Sequence, residues 1–127
     1  MPTHRAVLLV DDSLDTLEMY SLGLSHAGYR ALTASDADGA LGHLTNEQPD
    51  AVITDLRLVG SRGGWELIEA IKQNPSTRQI PIVILTGQID ESIASTAARM
   101  GCVAVLTKPC LPDELVHVLD NVLRPVM

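Results

Sequence analysis

Apolar residues gather along this chain in short uninterrupted runs, separated by stretches in which they recur at helical spacing. Ala6 to Val10 (AVLLV) is the first run, and Asp11, Asp12 and Ser13 follow it at once. Leu14, Leu17, Tyr20 or Ser21, and Leu24 then keep a helical period up to Gly28, which suits a helix stop. Tyr29 to Ala34 predicts a second strand, and Ala37, Ala40, Leu41 and Leu44 a second helix that ends before Pro49. Ala51 to Leu56 (AVITDL) is a third run. Three glycines in the following segment delay the next helix to about Trp65, from where it reaches Gln73 before Asn74 and Pro75. Pro81 to Thr86 (PIVILT) predicts a fourth strand, and Glu91 to Met100 a weaker helix. Val103 to Leu106 predicts a fifth strand. A last helix from Pro112 to Leu123 turns Leu115, Val118, Leu119 and Val122 inward.

Strands thus alternate with helices five times, and the strands are continuously apolar, as strands covered on both faces read. The pattern predicts a parallel sheet inside a three-layer α/β sandwich. No repeat, low-complexity tract or linker interrupts it, so residues 1–127 are expected to form a single domain.

Composition narrows the chemistry. The hydrophobic fraction is 46% but the aromatics are only Tyr20, Tyr29 and Trp65, so the core must be built from Leu, Ile, Val and Ala. A formal charge of −7 and a sequence pI near 4.8 argue against a nucleic-acid partner, whose backbone is bound chiefly by Lys and Arg. Cys102 and Cys110 have no metal-site spacing and are too few for a disulfide scaffold, which points to reduced thiols. No segment approaches bilayer-spanning length and no signal-peptide pattern opens the chain; a soluble, cytoplasmic protein without membrane contact is expected.

The polar residues at strand ends carry the function. Asp55 closes an apolar strand with no helix directly behind it to cap, so it must pair with a cation or do chemistry. In an open parallel sheet the ligand site lies beyond the carboxyl ends of the strands. Asp11 and Asp12 follow the first strand, Asp55 the third, Thr86 the fourth and Lys108 the fifth. Carboxylates gathered in one cleft repel one another, and a bound divalent cation such as Mg²⁺ or a protonated member relieves this. Lys108 offers a point charge and Thr86 a hydroxyl, both suited to phosphoryl oxygens. The set reads as a phosphoryl-transfer site with Asp55 as nucleophile. Taken singly, the residues have plainer readings: Asp12 or Ser13 as a helix cap, Asp55 as a satisfied turn residue, Lys108 and Arg57 as solvated side chains. His4, His26, His43 and His117 are dispersed and form no metal pair, and Trp65 reads as helix-start packing close to Asp55.

The motifs VLLVDDS (Val7 to Ser13), AVITDL, PIVILTG (Pro81 to Gly87) and MGCVAVLTKP (Met100 to Pro109), in this order and at strand ends, resemble those of response-regulator receiver domains of two-component signalling. The resemblance covers essentially the whole chain. It implies a doubly wound five-stranded sheet of order 2-1-3-4-5, CheY-like, and phosphorylation of Asp55 by a histidine kinase or phosphotransfer protein. It also implies Mg²⁺ held by Asp11, Asp12, Asp55 and the backbone carbonyl of Arg57, with Thr86 and Lys108 on the phosphoryl group. A cis peptide between Lys108 and Pro109 is implied as well. The signal would pass through the face of the fourth helix, fifth strand and fifth helix to a downstream protein or an attached output domain, and a homodimer is allowed. Such a domain catalyses only its own phosphorylation and dephosphorylation. It acts alone, or as a fragment of a larger regulator or hybrid histidine kinase.

This chain departs from the family pattern at three places. Val105 stands three before the lysine, where Tyr or Phe is usual, and cannot swing a ring between buried and exposed states. The loop after Asp55 lacks the frequent proline four residues on and carries one extra residue before the third helix. Cys110 replaces the frequent Phe after Lys-Pro. Two rival readings are weaker. A haloacid-dehalogenase-type phosphatase wants a second Asp where Arg57 stands, and a flavodoxin-like cofactor binder would not place Asp11 and Asp12 against a phosphate.

Overall fold

The computed structural model describes residues 5–58, 60 and 62–123. Its elements in chain order are β1 (Ala6–Val10), α1 (Leu14–His26), β2 (Arg30–Ala34), α2 (Ala37–Glu47), β3 (Ala51–Thr54), α3 (Gly64–Gln73), β4 (Ile82–Thr86), α4 (Glu91–Arg99), β5 (Ala104–Thr107) and α5 (Pro112–Val122). All strand pairs are parallel, as the apolar runs predict, and the order is β2-β1-β3-β4-β5, as the family resemblance implied. His4, Val59, Ser61 and the chain ends lie outside the described residues.

Alternate side chains of each central strand feed opposite layers, because successive residues of a strand point to opposite faces. Leu8, Val10, Val52, Ile82 and Ile84 pack with Leu44, Leu67, Ile68 and Ile71 of α2 and α3. Val7, Leu9, Ile53, Val83 and Leu85 pack with Leu17, Tyr20 and Leu24 of α1 and Leu115 and Leu119 of α5. The two helices of that second layer touch closely: a Cβ on Gly23 would lie 2.5 Å from Cβ of Pro112.

Three expectations need correction. Only β1, β3 and β4 are buried along their whole length; β2 and β5 are partly exposed, since an edge strand has a neighbour on one side only. Leu14 keeps the helical period but is 73% exposed, outside the stripe of Leu17, Tyr20 and Leu24. Pro81 precedes β4 rather than opening it: lacking an N–H, it lends only its carbonyl, which accepts from Val52 N at 3.0 Å. Gly28 follows α1 with φ +94, a backbone that glycine adopts without strain. No helix among the described residues is long and apolar enough to cross a membrane.

Candidate functional site: an acidic pocket bridged by a lysine

Strand register assembles the site. Val10 pairs with Thr54 and Thr86 with Thr107, so the next residues, Asp11, Asp55 and Lys108, leave the sheet at one edge. Ladder bonds continue one step further: Asp55 N donates to Val10 O at 3.0 Å, Asp11 N to Ala34 O at 3.1 Å, and Lys108 N to Thr86 O at 2.8 Å. The backbone beneath each functional side chain is therefore pinned by a neighbouring strand.

The side chains then interlock. Lys108 Nζ donates to Asp11 Oδ2 at 2.6 Å and to Asp55 Oδ2 at 2.9 Å, bridging carboxylates far apart in sequence. Asp11 Oδ1 accepts from Ser13 N at 2.9 Å, and Asp55 Oδ1 from Leu56 N at 2.6 Å and Arg57 N at 3.3 Å. Both acids are nearly buried, at 5% and 8% exposure, so an unpaired charge on either would be costly. Burial alone pushes the Lys108 ammonium down, but hydrogen bonds to Asp11 and Asp55 and their charges outweigh it and raise its pKa above the usual lysine value. Lys108 is thus a permanent cation in the physiological range. The plainer reading of a solvated lysine does not hold.

Asp11, Asp12 and Asp55 each present a carboxylate oxygen within 4.8 Å of the others. Asp12 is exposed, whereas Asp11 and Asp55 are buried. Helix capping does not account for Asp12, because Ser13 is the N-cap of α1 and its hydroxyl accepts from Thr16 N at 3.3 Å. Three oxygens at such separations suit a hard, oxygen-preferring cation, with Lys108 neutralising part of the same charge. A cleft of about 540 Å³ opens beside them, lined by Asp55, Leu56, Arg57, Trp65, Thr86, Gly87, Gln88, Ile93 and Lys108. Every site residue read from the sequence therefore lies in the acidic cluster or in the adjoining cleft.

Other local features were less visible beforehand. Gly64 opens α3 directly against the segment that follows β3: an added Cβ would lie 2.3 Å from Asp55 O and 2.6 Å from Leu56 Cα. Gly64 N also donates to Leu56 O at 3.0 Å, and Glu66 Oε2 accepts from Gly63 N at 2.8 Å, which closes the start of the helix. Lys108–Pro109 is cis, as the resemblance implied. Cys110 is buried and its carbonyl accepts from the Tyr20 hydroxyl, so an aromatic of α1 reaches the segment where a phenylalanine is usual. Burial raises the pKa of that phenol, with the Cys110 thiol adding to the effect. Val105 is half-buried and packs on the layer of α2, α3 and α4. Both cysteines are free thiols, and burial raises the pKa of each.

A doubly wound sheet whose carboxyl edge holds an acid cluster tied to a lysine defines a class, and the response regulator receiver domain family model matches residues 7–120. The chain belongs to that family and is a receiver domain of the response-regulator type. It is 34% identical over 120 residues to the phosphate regulon transcriptional regulatory protein PhoB of Pseudomonas aeruginosa, covering 94% of this chain and 52% of that protein. It is 34% identical over 119 residues to the nitrogen assimilation regulatory protein NtrX of Azorhizobium caulinodans, covering 93% of this chain and 26% of that one. The chain thus spans about half of the length of the first of these curated relatives and about a quarter of the second. Among solved structures, chemotaxis response regulator CheY4 of Vibrio cholerae superposes with a TM-score of 0.88 at 30% identity, covering 95% of this chain and 100% of that one. A response regulator from Chloroflexus aurantiacus gives 0.87 at 36% identity, covering 97% and 100%.

Proposed function

We propose that Asp55 receives a phosphoryl group from a phosphohistidine of a histidine kinase or phosphotransfer protein. The observation that carries this reading is the state of Asp55 itself: nearly buried, held on one oxygen by two backbone N–H groups and on the other by Lys108, and lining the cleft. Mg²⁺ held by Asp11, Asp12, Asp55 and the Arg57 carbonyl would neutralise the charge of the arriving phosphoryl group. Asp55 supplies the nucleophilic oxygen, with its orientation set before the donor arrives. Thr86 donates its hydroxyl to a phosphoryl oxygen, and Lys108 exchanges part of its contact with Asp55 for the new charge. Hydrolysis of the acyl phosphate resets the site.

That exchange supplies the signal. Lys108 and Thr86 leave β5 and β4 beside α4 and α5, so new contacts to the phosphoryl group bias two arrangements of the α4, β5 and α5 face. A downstream protein or an output domain reads that face. Val105 offers no ring to rotate, so the change is expected to travel through the Lys108 and Thr86 backbone. A phosphatase of the haloacid-dehalogenase type is disfavoured by Arg57, which stands where that chemistry needs an acid.

Acetyl phosphate with Mg²⁺ is expected to leave a phosphorylated protein whose label decays slowly, with no turnover of an aryl phosphate ester. Rapid catalytic release of phosphate from the ester would replace this reading with a phosphatase. Asp12→Ala is expected to weaken Mg²⁺ binding about tenfold or more, followed by titration of Trp65 fluorescence. An unchanged affinity would remove Asp12 from the cation site.

A further inference from the structure

We infer that the phosphoryl site continues into a receptor for the leaving group, in which the Trp65 indole and the Ile93 side chain form an apolar wall for the planar ring of an imidazole phosphodonor. The inference rests on the reading of Asp55 as phosphoacceptor. A cleft of about 540 Å³ lies in the range that accepts whole small ligands, so the space beside Asp55 extends well past a phosphoryl group. Its buried members are Asp55 and Thr86; Trp65 and Ile93 are half-buried and lie nearer solvent.

Both wall residues stand in first helical turns with fixed backbones. Gly64 N binds Leu56 O at 3.0 Å, and the absence of a Cβ at Gly64 lets α3 sit against the Asp55 carbonyl. Ile93 N binds Asp90 Oδ1 at 2.9 Å, which closes the first turn of α4. An indole and a branched aliphatic group from two helices thus line one cleft with the nucleophile.

Displacement at phosphorus sets attacking and leaving atoms roughly in line, so the leaving group departs on the side away from Asp55. An Asp55 oxygen forms the O–P bond as the P–N bond breaks, and the bonding pair passes to the ring nitrogen. A ring already protonated on its second nitrogen leaves as neutral imidazole. Before transfer that ring is planar and cationic, which an indole face attracts and a chain of net charge −7 favours.

The test compares second-order labelling rates from phosphoimidazole, phosphoramidate and acetyl phosphate, of which only the first carries a ring. Phosphorylated protein is read by mass, since Trp65 fluorescence is lost in the variant. Trp65→Leu is expected to slow phosphoimidazole about fivefold and leave the other two donors within about twofold. Trp65→Phe should keep most of the preference, and Ile93→Ala should lose part of it, so the comparison survives if Trp65→Leu fails to fold. Equal slowing of all three donors, or none, would overturn the inference. A wild-type protein that takes phosphate from no donor would instead overturn the assignment of Asp55, and this inference with it.

Discussion

Gly64→Ala is expected to destabilise the protein by about 3 kcal/mol, an effect at the high end for a single added methyl group. The atoms that its Cβ would meet, Asp55 O at 2.3 Å and Leu56 Cα at 2.6 Å, are backbone and cannot rotate away. Relief requires α3 to move off β3 or the Asp55 peptide to tilt. Tilting would shift the carboxylate from its bonds to Leu56 N, Arg57 N and Lys108, so the labelling rate should fall as well, by about tenfold or more. Gly42→Ala is the matched control. Gly42 lies in α2 with open space around its Cβ position, where alanine should be neutral or stabilising by about 0.5–1 kcal/mol. Urea unfolding of the two variants checks both expectations, and equal stabilities would show that α3 does not need glycine against Asp55.

Lys108→Ala has the second large effect, and its size depends on divalent cation. Removing the ammonium leaves the Asp11 and Asp55 carboxylates facing each other in a nearly buried site. Breaking a fully buried pair costs about 3–5 kcal/mol; Lys108 is 25% exposed, so a loss of about 2 kcal/mol is expected in the presence of a chelator. Mg²⁺ should shrink that loss, because a cation that binds only the folded state stabilises it by mass action and no longer competes with an ammonium. Denaturation midpoints with and without Mg²⁺ measure the difference. A loss independent of Mg²⁺ would mean that Lys108 and the cation do not share the same charge. The phosphorylation-linked change at α4, β5 and α5 should disappear in the same variant, and its persistence would remove Lys108 as the group that senses the phosphoryl charge.

Much of this was legible in the chain because strand ends in a parallel sheet converge. Apolar runs ending in Asp11, Asp55, Thr86 and Lys108 sufficed to place those residues on one edge, and register did the rest. Less legible were contacts between residues distant in sequence that carry no charge. Gly64 looked like loop punctuation, and nothing in the spacing of Gly63, Gly64 and Trp65 announces a backbone lying against Asp55. The bridge made by Lys108 was likewise invisible: sequence placed it as a ligand for phosphate, whereas without phosphate it already neutralises two acids. Tyr20 reads as one more apolar stripe residue of α1, yet its hydroxyl reaches Cys110 across 90 positions. Edge-strand exposure at β2 and β5 also escaped a pattern reading, because apolar content does not reveal which strands are outermost.

The central claim is that the phosphoryl group is carried by Asp55. Wild-type protein and Asp55→Asn, both verified as folded, are incubated with acetyl phosphate and Mg²⁺, and the modified peptide is mapped by mass spectrometry. The wild-type peptide containing Ala51–Leu56 should gain one phosphoryl group, and the variant none. Persistent labelling of Asp55→Asn, or a label on another peptide of the wild type, would contradict the account.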